Sequence, residues 1–236
     1  MIARFALLLL PLLAVARDIR LLRLEGPENP PPRLFLHGTD TEGELDLPLL
    51  SPSTRRLAVG EGALELRLLK AKPAPREPLP ADASLIRVPA GKDDLLLILL
   101  AGPGSLGFRA EVVGVPPSAG AEGALLWFNL QPRPLHVRLG EAAVTVIPPG
   151  ASRATLPPVA PGAPFAACLD LGSGPEGREV RPFLRATWVR APRGRLLSFV
   201  VADPDRAAPR ILSVPDPDEP APAPPPPPRP PDAGRR

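Results

Sequence analysis

The sequence predicts an all-β protein, on three observations. Apolar residues recur with period two in short runs, as in Leu135, Val137 and Leu139 against His136 and Arg138, which is the pattern of a half-buried antiparallel strand. The runs are separated by Gly/Pro turns such as Gln131-Pro132-Arg133-Pro134 and Pro148-Pro149-Gly150. The 39 prolines in 236 residues oppose a mostly helical chain, because each removes an amide donor and clashes with the preceding helical turn. No segment carries helical periodicity after the N-terminal apolar run. The architecture that fits is an antiparallel β-sandwich fold, either two sandwiches split near residues 116–123 or one continuous sandwich of about a dozen strands.

Taken in order, residues 1–16 read as an export signal. Arg4 supplies the positive start, Phe5 to Ala14 the apolar run, and Ala14-Val15-Ala16 the small residues before a cleavage site ahead of Arg17. The run is short for a membrane span and Pro11 interrupts it. Asp18 to Leu24 is the first strand expected in the mature protein, with Leu34 to Leu36 as a second. Leu45, Leu47 and Leu49 alternate with Asp46 and Pro48, which suits a sheet edge. Ala63 to Lys70 carries Leu64, Leu66 and Leu68 on one face. Ser84 to Val88 and Asp94 to Ala101 read as a hairpin around Pro89-Ala90-Gly91-Lys92-Asp93. The run from Leu95 to Leu100 has no polar face, so it belongs in a central strand covered on both sides. Phe108 to Val115 follows, completing a first domain over residues 17–115, and residues 116–123 serve as linker.

The second domain is expected over residues 124–214. Leu125 to Ile147 divides into three short strands, followed by a weak strand from Ala151 to Leu156 and a better one from Phe165 to Leu171. Glu179 to Arg190 and Arg195 to Ala202 read as a hairpin turning at Pro192-Arg193-Gly194, and Arg210 to Val214 adds a last strand. Beyond it, residues 215–236 are dominated by Pro, Ala, Asp and Arg, including five consecutive prolines from Pro224 to Pro228. That composition predicts a disordered, proline-rich tail in polyproline II.

Composition narrows the function classes. Hydrophobic residues make up 44% of the chain, enough for a packed core, while aromatics make up 4% with no Tyr, so Leu, Val and Ala must build it. The net charge is +3 with acids interleaved among the arginines, which implies no nucleic-acid partner. The single cysteine, Cys168, forms no intramolecular disulfide and stands far from the cleavage site, so it is not a lipid-attachment residue.

Chemical constellations are sparse. Gly102-Pro103-Gly104-Ser105-Leu106-Gly107 matches a dinucleotide fingerprint, but a β-branched run follows where a helix is needed, so a glycine-rich β-turn is expected. His37 and His136 lie far apart without companions at metal spacing, and Cys168 sits in an apolar run. Trp127 and Trp188 are flanked by core-type residues, which favours packing over a sugar platform. No catalytic, cofactor-binding or metal residue is assigned, and any binding residues stay unassigned.

Trp127-Phe128-Asn129-Leu130, then Leu135 to Gly140, then Pro148-Pro149-Gly150 form a recurring hairpin pattern. Over residues 125–150 the chain resembles uncharacterised exported bacterial β-sandwich proteins, and periplasmic accessory proteins of alginate acetylation carry something similar. The resemblance implies an immunoglobulin-like sandwich in the envelope, periplasmic or secreted, with no catalytic residues to carry over. The function expected is therefore a non-catalytic structural or interaction module whose partner is an envelope protein or polysaccharide. The alternative is a carbohydrate-binding or polysaccharide-modification accessory module. No integral membrane segment is expected once the signal is removed.

Overall fold

A computed structural model of the chain describes residues 17–31, 33–38, 41–45, 49–50, 52–74, 78–80, 83–103, 105–116, 122–172 and 182–216. The expected signal (1–16), part of the linker and most of the expected tail lie outside the described residues. The protein is all-β: the described residues form sixteen strands and no helix, arranged in four four-stranded, mostly antiparallel sheets. Among the described residues, no helix is long and apolar enough to cross a membrane.

The strands fall into two groups of eight with one topology. The first group is β1 (Arg17–Arg23), β2 (Leu34–Gly38), β3 (Thr41–Leu45), β4 (Pro52–Val59), β5 (Leu64–Leu69), β6 (Ser84–Val88), β7 (Leu95–Ala101) and β8 (Phe108–Gly114). The second is β9 (Leu125–Asn129), β10 (Leu135–Leu139), β11 (Thr145–Ile147), β12 (Ser152–Thr155), β13 (Pro164–Leu171), β14 (Leu184–Val189), β15 (Arg195–Val201) and β16 (Arg210–Asp216). One sheet of each group has the order β4-β1-β7-β8 or β12-β9-β15-β16, the other β3-β2-β5-β6 or β11-β10-β13-β14. Adding eight to each strand of the first group reproduces the second. In both, the first strand pairs in parallel with the seventh: Ile19 faces Leu95, and Leu125 faces Leu196. The chain is thus a structural tandem repeat, a regularity that its residues did not announce.

Burial explains how the four sheets stack. In β7, Leu95, Leu97 and Leu99 point into the core of the first sandwich, while Leu96, Ile98 and Leu100 point the other way. That second set meets Leu126, Phe128, Leu197, Phe199 and Val201 from the second repeat in one shared cluster. The sheets containing β1/β7 and β9/β15 are therefore inner layers packed against each other. The sheets containing β2/β5 and β10/β13 are outer layers with one face to solvent. The uninterrupted apolar run of β7 follows from this double coverage. Phe128 and Phe199 stack at 4.7 Å between ring centroids within the seam.

Charge also crosses the seam. Arg20 of β1 pairs with the carboxylate of Asp216 at 2.7 Å, where the two side chains are 5% and 0% exposed. Arg195 reaches the other oxygen of Asp216 at 2.7 Å. Arg210 pairs with Glu25, and the Ser152 hydroxyl donates to the Gly114 carbonyl.

Three expectations are corrected. The last strand runs through Pro215 to Asp216, so these residues belong to the second sandwich rather than to the tail; Asp216 is fixed there by its two arginines. Ser84–Val88 and Asp94–Ala101 do not form a hairpin: β6 pairs with β5 in the outer sheet, and β7 with β1 and β8 in the inner one. Nor do β14 and β15 pair, since β14 lies beside β13 and β15 between β9 and β16. In both cases the short Gly/Pro link arches between sheets, because the apolar seventh strand needs cover on both faces. β4 had no counterpart among the expected strands.

Candidate functional site: the outer face of the second sandwich

The face is built by three strands in register. β10 pairs with β13, and β13 with β14, so that His136 faces Asp170, and Arg138, Cys168 and Arg185 form one row across the sheet. Alternation sends Leu135, Val137, Leu139, Leu169 and Leu171 into the core, which directs their neighbours outward. The inward set is closed by Trp127, 0% exposed, which stacks on Trp188 at 5.8 Å and donates its indole N–H to Thr155.

The relief of the face comes from side-chain size. β13 presents Ala166 and Cys168 outward, between Arg138 on one side and Arg185 and Thr187 on the other. Small residues on the middle strand and long ones beside it leave a shallow, open trough of about 520 Å³. Nη2 of Arg138 lies 3.9 Å from Cys168 Sγ. Among the described residues, no carboxylate engages Arg138 or Arg185. Asp170, the nearest acid along β13, has Oδ1 at 2.9 Å from Nδ1 of His136.

His136 thus takes the polar phase of its strand, with Asp170 beside it. His37 lies on the outer sheet of the other sandwich, opposite Arg67, and does not approach His136. Gly102 to Gly107 links β7 to β8, with the Gly102 amide donating to the Gly107 carbonyl at 3.0 Å. Gly107 has φ 68°, and a Cβ on Gly102 would stand 2.8 Å from the Arg109 backbone nitrogen, so both glycines serve the turn. Among the described residues, no group of three His, Cys, Asp or Glu side chains gathers with the spacing of a metal site.

A second concavity, of about 220 Å³, lies in the first sandwich against Leu68, Leu106, Pro73 and Pro80, with Lys70 and Lys72. It is below the usual range of small-molecule sites, roughly 300–1,000 Å³.

Arg138, Asp170 and Arg185 were not singled out by sequence. Period-two alternation assigns each to a solvent phase, but only the register of β10, β13 and β14 makes them neighbours. No protein-family model and no curated protein matches the chain.

Proposed function

We propose that the chain is an exported, non-catalytic interaction protein of the bacterial envelope, built from two immunoglobulin-like sandwiches and extended by a proline-rich tail. One observation carries this reading: the reactive side chains brought together by β10, β13 and β14, namely His136, Arg138, Cys168, Asp170 and Arg185, are spread across an open sheet face rather than gathered in a cleft. Acid–base and nucleophilic catalysis draw their strength from donors preorganised where water is excluded. An open face gives up that advantage and suits contact with a macromolecule. The N-terminal pattern of Arg4, an apolar run and Ala14-Val15-Ala16 supports export.

Fractionation of the native host with N-terminal sequencing tests the address: the mature protein should leave the cytosol and begin at Arg17. Cross-linking in intact cells should join it to an envelope protein or polymer. A cytosolic protein retaining Met1 overturns the export reading, and turnover of a small molecule by the purified chain overturns the non-catalytic one.

A further inference from the structure

We propose that the trough over β13 is a docking site for an extended acidic peptide segment of a partner protein. The inference rests on the interaction-protein reading above and names the surface and the chemistry of the occupant.

The two trough walls are guanidiniums one strand away from the floor on either side, so their Cα atoms are about 10 Å apart at the usual strand spacing. A single extended chain fits that width. Carboxylates directed at the floor meet a guanidinium on each side, and the planar fork of arginine matches a carboxylate with two N–H donors. The floor spans Ala166 to Cys168, and the outward positions of β13 continue past it to Pro164, a run of four residues and about 14 Å, enough for roughly four residues of extended peptide.

Charge complementarity sets the sign of the occupant. Arg138 and Arg185 carry unmatched positive charge among the described residues, and the acid on the same face, Asp170, sits against His136. The margins favour a peptide over a polysaccharide. Val146, beside His136, is 47% exposed, and Val189, beside Pro164, is 64% exposed. They offer aliphatic contact to apolar side chains flanking an acidic core. Sugar rings are held by aromatic platforms, yet both tryptophans of the chain belong to the inward set and it has no Tyr.

The test is fluorescence anisotropy of the purified chain, residues 17–236, with labelled deca-L-glutamate in low salt. Unlabelled deca-L-glutamate and a ten-residue oligogalacturonate serve as competitors. Saturable binding should weaken roughly tenfold in Arg138→Glu/Arg185→Glu, a loss of about 1.4 kcal/mol shared by two exposed charge-assisted contacts. The exposed pair Arg193→Glu/Arg206→Glu changes the net charge equally and should bind as wild type. Ala166→Leu fills the floor without changing charge and should also weaken binding. All three variants alter exposed positions, and circular dichroism verifies their folds.

Equal loss in both double variants means general attraction to a basic chain and overturns the proposal. So does undiminished binding by Ala166→Leu, or an absence of binding. Displacement by oligogalacturonate at a lower concentration than by unlabelled deca-L-glutamate reassigns the trough to an acidic polysaccharide and overturns the peptide. Because the assay uses purified protein, it reads the trough independently of export, which fractionation and cross-linking read separately.

Discussion

Leu50 has φ 54°, the left-handed conformation that Gly150 takes, at φ 69°, at the matching corner of the second repeat. The backbone hydrogen bonds agree: the Leu50 amide donates to the Arg23 carbonyl, and the Gly150 amide to the Asn129 carbonyl. A side chain at such a φ costs about 1–2 kcal/mol, and Leu50 is 42% exposed, so it regains little by burial. Leu50→Gly is therefore expected to stabilise the protein by about 0.5–1 kcal/mol, after the greater freedom of glycine in the unfolded chain is counted. Urea unfolding measures it, and a loss of stability would show that the Leu50 side chain packs more than its exposure suggests. Asn129 gives the opposite case. It is 0% exposed, its amide donates to the carbonyls of Arg133 (2.8 Å) and Ile147 (2.9 Å), and its oxygen accepts from the Gln131 amide (3.1 Å). Asn129→Ala leaves two buried backbone groups and a part-buried one unmatched and should cost about 3 kcal/mol. Asn129→Asp should cost more, since a carboxylate would then face two carbonyl oxygens. An equal melting temperature for wild type and both variants would remove Asn129 as the tie between β9, its turn and β11.

At the scale of elements, alternation made much of the fold legible. It located β5, β7, β8, β10 and β13 near their observed bounds, and the apolar run of β7 announced cover on both faces. It failed where pairing decides. A strand with a Gly/Pro link behind it looks the same whether it turns back beside its neighbour or crosses to the other sheet, which is why β6–β7 and β14–β15 were read as hairpins. β4 escaped because Ser51-Pro52-Ser53-Thr54-Arg55-Arg56 offers no apolar alternation ahead of Leu57 and Val59. The trough was illegible for the same reason: Arg138, Cys168 and Arg185 are distant in sequence, and register alone brings them into one row. The motif from Trp127 to Gly150 has a structural basis in Asn129, which binds the end of β9 to the Pro-rich turn and to β11.

For the whole molecule, Asp216 is the joint between sandwiches. Its carboxylate is enclosed between Arg20 of the first repeat and Arg195 of the second. Removing one member of a buried ion pair leaves the other uncompensated, at about 3–5 kcal/mol. Truncation after Val214 should therefore lower stability by that order. Truncation after Asp216 should leave the melting temperature unchanged, because residues 217–236 bring prolines without amide donors and little apolar area. Differential scanning calorimetry of the two truncated chains separates the effects. Equal loss in both would show that residues 217–236 pack on the body.

Among the described residues, the back of the first inner sheet, with Leu22, Leu96, Ile98 and Leu100, is covered by the second repeat, which follows it in the chain. During synthesis the first repeat can complete its own pairing, including the parallel β1–β7 ladder, once β8 has emerged. It must then wait with a greasy side bare until the second repeat arrives. That interval is the chain's most aggregation-prone moment, and crowded siblings at the same stage have matching faces to offer. Residues 17–116 expressed alone should therefore self-associate at micromolar concentration through that side. Leu96→Lys/Ile98→Lys should return the fragment to a monomer in analytical ultracentrifugation. Nascent copies would then meet first as competitors for one another's seam, and a holding chaperone at the exit would act on the first repeat rather than the second.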